Sequence, residues 1–593
     1  MSSLMAKALP TLPEVDRVLT GPGAPFELQT QEIDGIPLRT YKKAPRHLGE
    51  LLETSRNWGS REFIVYESER LTFEQHYRAV ALLAHELVER YGVEKGDRVA
   101  IAMRNLPEWS ISFWAGVAIG AIVVPLNAWW VGTELNYALA DSGTKVILVD
   151  AERYSVLAPF LPDLPLRGAI VTRLTEQELP ALACRLETII GEHGSYRSNT
   201  SVAMPRRELR PDDRATLFYT SGTTGRPKGA LGSHRGACTS LMNSAVSLAR
   251  AKLRAGGTLS DLAKPMPPRA LLAMGPLFHV IACFAQLLPA VAGGAKLVLM
   301  YKWNVARGFE LVEQERITNF SGVPTAMLQA VEEAQNGKVA TDSIQMISYG
   351  GSPSPPELAA RLMKAFPTVV PATGYGLTET SGMIAMVVGP DCADHPASAG
   401  YPMPVVDIAV IAADGHEAQV GEIGEIRVRG PGVIKAYWND PEATRATIVD
   451  GWLRTGDLGR LDEDGFIYLV DRAKDMIIRG GENVYCVEVE NALLEHLAVK
   501  DAAVIGLPHP TLGEQVTAVV EIPQNDDVSE EELKRFLSTR LAAFKIPVMI
   551  ELRRSPLPRN TTGKLLKPQI RSELTDTWGQ RTVAPTPPCS RPI

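Results

Sequence analysis

Short, unbroken apolar runs alternate with helix-spaced segments along most of this chain, and that alternation limits the folds open to it. Arg98–Met103 (RVAIAM), Lys145–Asp150 (KVILVD), Lys296–Met300 (KLVLM) and Ile344–Ser348 (IQMIS) are strand-like, and Gln75–Tyr91 carries helical spacing. A strand that is apolar on both faces must be covered on both faces, so the pattern predicts an α/β fold of parallel sheets layered with helices. Between residues 396 and 471 the texture changes. Val406–Ile411, Glu425–Arg429 and Phe466–Val470 are short strands among Gly-rich turns, which predicts a small β-barrel-like subdomain.

Past Asp471 a compact α+β unit is expected. Val489, Ala492, Leu493, His496 and Leu497 fall on one helical face, and Ser529 with Glu532 forms a capping box ahead of Leu533, Phe536, Leu537 and Leu541. At 593 residues the chain exceeds what one core sustains. The expected division is an N-terminal extension (1–44), a large domain (45–471, with the β subdomain at 396–471), a hinge (472–475), a small mobile C-terminal domain (476–575) and a disordered tail (576–593). The tail ends in APTPPCSRPI, which cannot pack.

Hydrophobic residues make up 45% and charged residues 22%, a globular balance, and a net charge of −7 argues against a nucleic-acid partner. Six cysteines without a C-x-x-C pair exclude a disulfide scaffold and common thiolate zinc spacings. The N-terminus lacks a secretory apolar core. The uncharged stretches Trp109–Thr133 and Ala270–Ala295 are interrupted by Gly and Pro, and each is read as a buried helix running into a buried strand. The expectation is a cytoplasmic protein without a transmembrane segment; peripheral membrane contact and a homodimer stay open.

The most informative stretch is Tyr219–Gly229, YTSGTTGRPKG. Its three glycines permit a tight turn with N–H groups facing inward. Thr220, Ser221, Thr223 and Thr224 add hydroxyls, Gly222 and Gly225 allow close backbone approach, and Lys228 adds a cation. That concave donor set suits a polyphosphate, and it is not a Walker A loop.

Four further motifs follow: Gly374–Thr380 (GYGLTET), Gly451–Asp457 (GWLRTGD), Asp471–Glu482 (DRAKDMIIRGGE) and Pro558–Lys567 (PRNTTGKLLK). In this order and spacing the five resemble the adenylate-forming superfamily, which includes acyl-CoA synthetases, and the resemblance runs from about residue 45 to the last motif. It implies ATP and CoA as co-substrates, Mg²⁺ as the metal, and activation of a carboxylic acid as acyl-AMP before transfer to a thiol.

By resemblance, Thr220–Lys228 wraps the β- and γ-phosphates. Gly350, Gly351, Ser352, Gly374 and Gly376 belong to the nucleotide site, Tyr375 offers a face to adenine, Thr378 a hydroxyl to the α-phosphate, and Glu379 an oxygen ligand to Mg²⁺. Asp457 accepts from the ribose hydroxyls, and Arg472 contacts ribose or phosphate. Lys564 reaches into the cleft for adenylation, Lys474 is the hinge residue, and Gly480, Gly481 and Glu482 line the pantetheine channel. His279 forms the floor between the nucleotide and acyl pockets. The acyl pocket is assigned to Met274, His279, Val280, Phe284, Gly322, Val323, Thr325 and Gly350–Ser352.

The family's amino-acid activators place an Asp after the His279 region, whereas here the stretch reads HVIACFAQLL. The expected substrate is therefore an apolar acid, such as a medium- or long-chain fatty acid. Loading a separate carrier protein's phosphopantetheine arm remains the alternative, and a luciferase-like oxygenase or an inactive binding protein rank behind it. Residues 251–269 are read as a mobile loop.

Overall fold

The computed structural model describes residues 9–175, 178–196, 202–220, 226–265, 267–337, 339–351, 357–509, 511–560 and 563–581. Among them, two large sheets form the body of the protein. The first has eight strands, with a parallel block built from Arg214–Thr220, Ile122–Pro125, Arg98–Ala102, Val146–Asp150, Gly168–Thr172 and Ala183–Arg185. Lys228–Ser233 and Ala436–Tyr437 extend it antiparallel at one edge. The second sheet has nine strands, with Val370–Leu377, Met346–Gly350, Asn319–Gly322, Ala270–Ala273, Lys296–Leu299 and Glu62–Tyr66 parallel.

Side-chain alternation sorts the core into layers. Val99 and Ile101 of one sheet, and Leu271, Ala273, Leu297 and Leu299 of the other, face the space between the sheets. Helix Pro107–Ala118 fills that space, and all twelve of its residues are buried. Ala100 and Ala102 point instead to the outer helices Gly132–Ser142 and Ala151–Leu157. Helices Val305–Glu315, Pro324–Gln335 and Glu357–Ala365 cover the far face of the second sheet. A five-stranded antiparallel sheet spans Asp407–Arg472, where the β subdomain is expected. The fold is thus α/β with a small β unit and a separate α+β C-terminal domain.

That last domain carries a five-stranded sheet covered on both faces. Helices Cys486–Leu494 and Glu530–Ser538 cover one face, and helix Lys567–Arg581 covers the other through Ile570 and Leu574. The Ser529 hydroxyl accepts from the Glu532 N–H at 3.2 Å, and Leu533 and Leu537 form the buried stripe.

Several expectations need correction, though the N-terminal extension is not among them: its residues 9–44 pack against the large domain. Thr11 caps helix Leu12–Thr20, which lays Val15 and Leu19 against Ala249 and Leu253, while Asp16 pairs with Arg250 at 2.6 Å. Residues 251–269 begin with the end of helix His234–Arg254 and include a short helix at Leu259–Leu262, whose Leu262 joins the same cluster. Residues 576–581 continue the last helix rather than opening a tail, because Ile570 and Leu574 anchor that helix to the sheet; 582–593 lie outside the described residues. Leu497 is fully exposed, since its helix ends at Leu494, before the expected stripe closes. The first uncharged stretch is helix then strand, but Ala270–Ala295 runs strand first and helix second. Among the described residues no helix is long and apolar enough to cross a membrane.

Candidate active site

The phosphate-loop expectation rests on a hairpin. Thr220 ends one strand, Lys228 begins its antiparallel neighbour, and the two are register partners. Ser221, Gly222, Thr223, Thr224 and Gly225 lie outside the described residues, as does Ser352. Lys228 Nζ stands 3.5 Å from Asp440 and lies over the Tyr437 ring at 5.6 Å from its centroid.

Tyr437 also donates its hydroxyl to Glu379 Oε1 at 2.9 Å. Glu379 sits in the one-turn helix Thr378–Thr380 between strands Val370–Leu377 and Gly382–Val388, and its carbonyl accepts from the Ile434 N–H at 2.9 Å. Among the described residues no three His, Cys, Asp or Glu side chains converge as a metal cage. A single oriented carboxylate suits a Mg²⁺ ion that completes its shell with phosphate oxygens and water.

Gly350 and Gly374 are partners across parallel strands, Gly351 abuts Ile281, and Gly376 faces Met383. Tyr375, buried in the same strand, donates to Asp457 Oδ2 at 2.6 Å, while Arg472 Nε meets Oδ1 at 2.9 Å. Asp457 and Arg472 are register partners on adjacent strands, so sheet geometry itself sets this pair. A carboxylate accepts about four hydrogen bonds, and the two partners leave it capacity for more.

Lys564 arrives from the C-terminal domain. Its turn, closed by Asn560 Oδ1 accepting from the Lys564 N–H at 2.9 Å, rests on the large domain. A Cβ on Gly563 would stand 3.1 Å from Thr325 Oγ1 and 3.3 Å from a Val323 methyl. Val323 and Thr325, expected in the acyl pocket, thus carry this turn. Burial, first, and then the Arg472 guanidinium lower the Lys564 pKa to about 8, with Asp457 acting in the opposite direction.

The segment expected to act as the hinge, residues 472–475, begins at the Asp457–Arg472 pair. The Ala473 N–H bonds to Gly456 O at 3.0 Å, and Lys474 is exposed. Gly480 and Gly481 form a two-residue hairpin turn between Arg479 and Glu482 with φ of +60° and +92°, the left-handed pair that such a turn requires. Gly480, Gly481 and Glu482 face solvent while Lys564 occupies the cleft.

His279 precedes a short helix and a π-type turn at Cys283–Leu287. Burial lowers its pKa to about 4, so the ring is neutral, and Nε2 has no hydrogen-bond partner in the chain. Phe284 packs edge-on to Phe218 at 5.6 Å, Val280 is buried, and Gly322 lies against the Met274 and Met327 methyls. Sequence reasoning missed Tyr437, Asp440 and Ile281. The AYWND segment gave no sign of its partners, because Tyr437 and Glu379 are 58 positions apart.

Residues 51–438 match the family model described as AMP-binding enzyme, and residues 488–564 match the AMP-binding enzyme C-terminal domain. A feruloyl-CoA synthase of Amycolatopsis is 36% identical over 84% of this chain and 93% of its own length. The long-chain-fatty-acid–CoA ligase FadD13 of Mycobacterium tuberculosis is 32% identical over 86% and 94%. Among solved structures, the o-succinylbenzoate CoA synthetase of Bacillus subtilis in complex with ATP and magnesium aligns with a TM-score of 0.72 at 30% identity, covering 89% of this chain and 99% of that one.

Proposed function

The chain belongs to the AMP-binding enzyme family, and from that premise we propose that it converts an apolar carboxylic acid into its CoA thioester by way of an acyl-adenylate. It is an acid–thiol ligase of the acyl-CoA synthetase type, using ATP, Mg²⁺ and CoA. The supporting observation is the meeting of two domains: Gly563, next to Lys564, lies against Val323 and Thr325 of the large domain, which also carries the Asp457–Arg472 pair that acts on Lys564.

A carboxylate cannot lose oxide to a thiol. Its oxygen instead attacks the α-phosphorus of ATP, and the bond to pyrophosphate breaks. Lys564 supplies a compact positive charge to both reacting groups, Asp457 takes the ribose, and the Lys228 loop holds the leaving phosphates. Glu379, oriented by Tyr437, would hold Mg²⁺, and the metal would offset phosphate charge.

The C-terminal domain then turns about Lys474, withdrawing Lys564 and bringing in the Gly480–Gly481–Glu482 hairpin, which is solvent-facing before the turn. The sulfur of CoA attacks the acyl carbon, the bond to AMP breaks, and the thiol proton leaves to solvent. Neutral His279 and the buried side chains of Val280 and Met274 carry no charge, which supports an apolar acyl group.

The relatives' names cover a hydroxycinnamate and long-chain fatty acids, so the acid is tested directly. A panel of carboxylic acids is assayed for pyrophosphate release with and without CoA, and CoA-dependent AMP release is the expected outcome. AMP release only with a carrier protein overturns CoA as acceptor. Lys564→Ala should lose ~10²–10³ in adenylation, about 3–4 kcal/mol, yet still turn over a supplied acyl-adenylate. Lys474→Pro should leave pyrophosphate release intact and block thioester formation; an unimpaired overall rate refutes the hinge role.

A further inference from the structure

A cavity of about 320 Å³ opens where the two large sheets present the carboxyl ends of their parallel strands. Arg104 follows strand Arg98–Ala102, Trp129 follows Ile122–Pro125, Phe278 lies beyond Ala270–Ala273, and Tyr301, Lys302 and Trp303 follow Lys296–Leu299. Crevices at strand carboxyl ends are where open α/β sheets bind ligands. Met274, assigned above to the acyl pocket, also lines this cavity, so the cavity adjoins the site already described. The two places are one ring apart, since Phe278 contacts His279 at 4.7 Å on one side and Trp129 at 5.1 Å on the other.

The Arg104 guanidinium lies over the Trp129 ring at 4.1 Å and near Tyr301 at 5.5 Å. Its Nε and Nη1 are buried without a hydrogen-bond partner. The neighbouring carboxylates make no hydrogen bond to those two nitrogens: Asp150 accepts from the Arg104 backbone N–H at 3.0 Å and from Arg153 Nη1 at 2.8 and 2.9 Å, and Glu152 pairs with Arg153. No described lining residue is acidic, and exposed Lys302 adds a second cation at the rim. Burial and then the neighbouring Arg153 lower the proton affinity of Arg104, with Tyr301, Glu152 and Asp150 acting in the opposite direction.

We propose that this cavity binds an anionic group carried on a planar or apolar body, with Arg104 as counter-ion and the indole and phenol rings as walls. The volume suits one ring system with one charged substituent. Resting on the acyl-CoA ligase reading, two of the enzyme's own substrates offer such a group: CoA, through its phosphorylated adenosine, and an acid bearing a distal carboxylate.

The test uses the full chain and the variants Arg104→Gln, Lys302→Gln and Lys302→Glu. Adenosine 3′,5′-bisphosphate and phthalate are titrated calorimetrically. One of them should bind, about tenfold more weakly to Arg104→Gln, with Lys302→Gln smaller in effect and Lys302→Glu larger. A phosphate source predicts that Arg104→Gln raises KM for CoA but not for pantetheine. A carboxylate source predicts lower kcat/KM for a diacid but not for the matching monoacid.

If both probes bind wild type and a folded Arg104→Gln equally, or bind neither, the proposal is overturned. Should Arg104→Gln not fold, identical probe binding by wild type and Lys302→Glu overturns it instead. Absence of pyrophosphate release with every acid would sink the ligase reading while leaving the probe titrations to decide the cavity.

Discussion

Two sets of carboxylates in this protein follow opposite rules. Glu108, on the helix buried between the sheets, accepts from Tyr196 at 2.8 Å, His193 at 2.9 Å and Arg173 at 3.0 and 3.2 Å, and Arg173 is itself clamped by Glu69. In the cleft, Glu379 accepts from one phenol, and Asp457 from one phenol and one guanidinium. The saturated carboxylate can only hold structure. The cleft carboxylates are aimed by tyrosines yet keep lone pairs free for another partner. Saturation, more than burial, separates scaffold charge from working charge here.

The largest effect should come from breaking the saturated set. Glu108→Ala leaves the buried Tyr196 hydroxyl without its acceptor and takes one of two carboxylates from half-buried Arg173, and about 3–5 kcal/mol of stability should be lost, read by urea denaturation. Loss of under 1 kcal/mol would show that Glu108 is dispensable to the scaffold. The same carboxyl fixes a pH window. Burial alone would raise its pKa, but His193 and Arg173 hold it below the ordinary value. A depressed carboxyl contributes stability above its unfolded pKa of ~4.3, and that contribution is lost as pH falls through the folded pKa.

The cleft set responds through rate rather than stability. Because Lys564 loses its proton near pH 8, adenylation kcat/KM should fall as pH rises through about 8, approaching tenfold per unit above it. A profile flat to pH 10 would remove the ammonium from the step. The smallest effect belongs to Tyr437→Phe, which deletes one hydrogen bond to Glu379 and keeps the ring beside Lys228. About 1 kcal/mol, or ~5-fold, is expected in the Mg²⁺ concentration needed for ATP binding, read by calorimetry. An equal loss in the absence of Mg²⁺ would place the phenol's role elsewhere.

Much of this was legible in the sequence because the informative segments are local. The parallel sheets layered with helices follow from apolar runs such as KVILVD, which are apolar on both faces. What stayed hidden depends on chain segments meeting from afar. Arg104 gains meaning only when strand ends from four parts of the chain converge. Helix Leu12–Thr20 finds its place through Asp16 and Arg250, 234 residues apart. Leu497 misled because periodicity extends past the point where a helix stops.

The N-terminal segment has a practical consequence for anyone trimming the gene. The family match begins at residue 51, an inviting place to start a shortened version. Such a cut would strip the cover from Ala249 and Leu253, leave Arg250 without its mate, and release the Arg254 contact with Pro10. An oily slot beside an unpaired Arg250 would then meet water on a long helix, so the clipped protein should clump where the intact one does not.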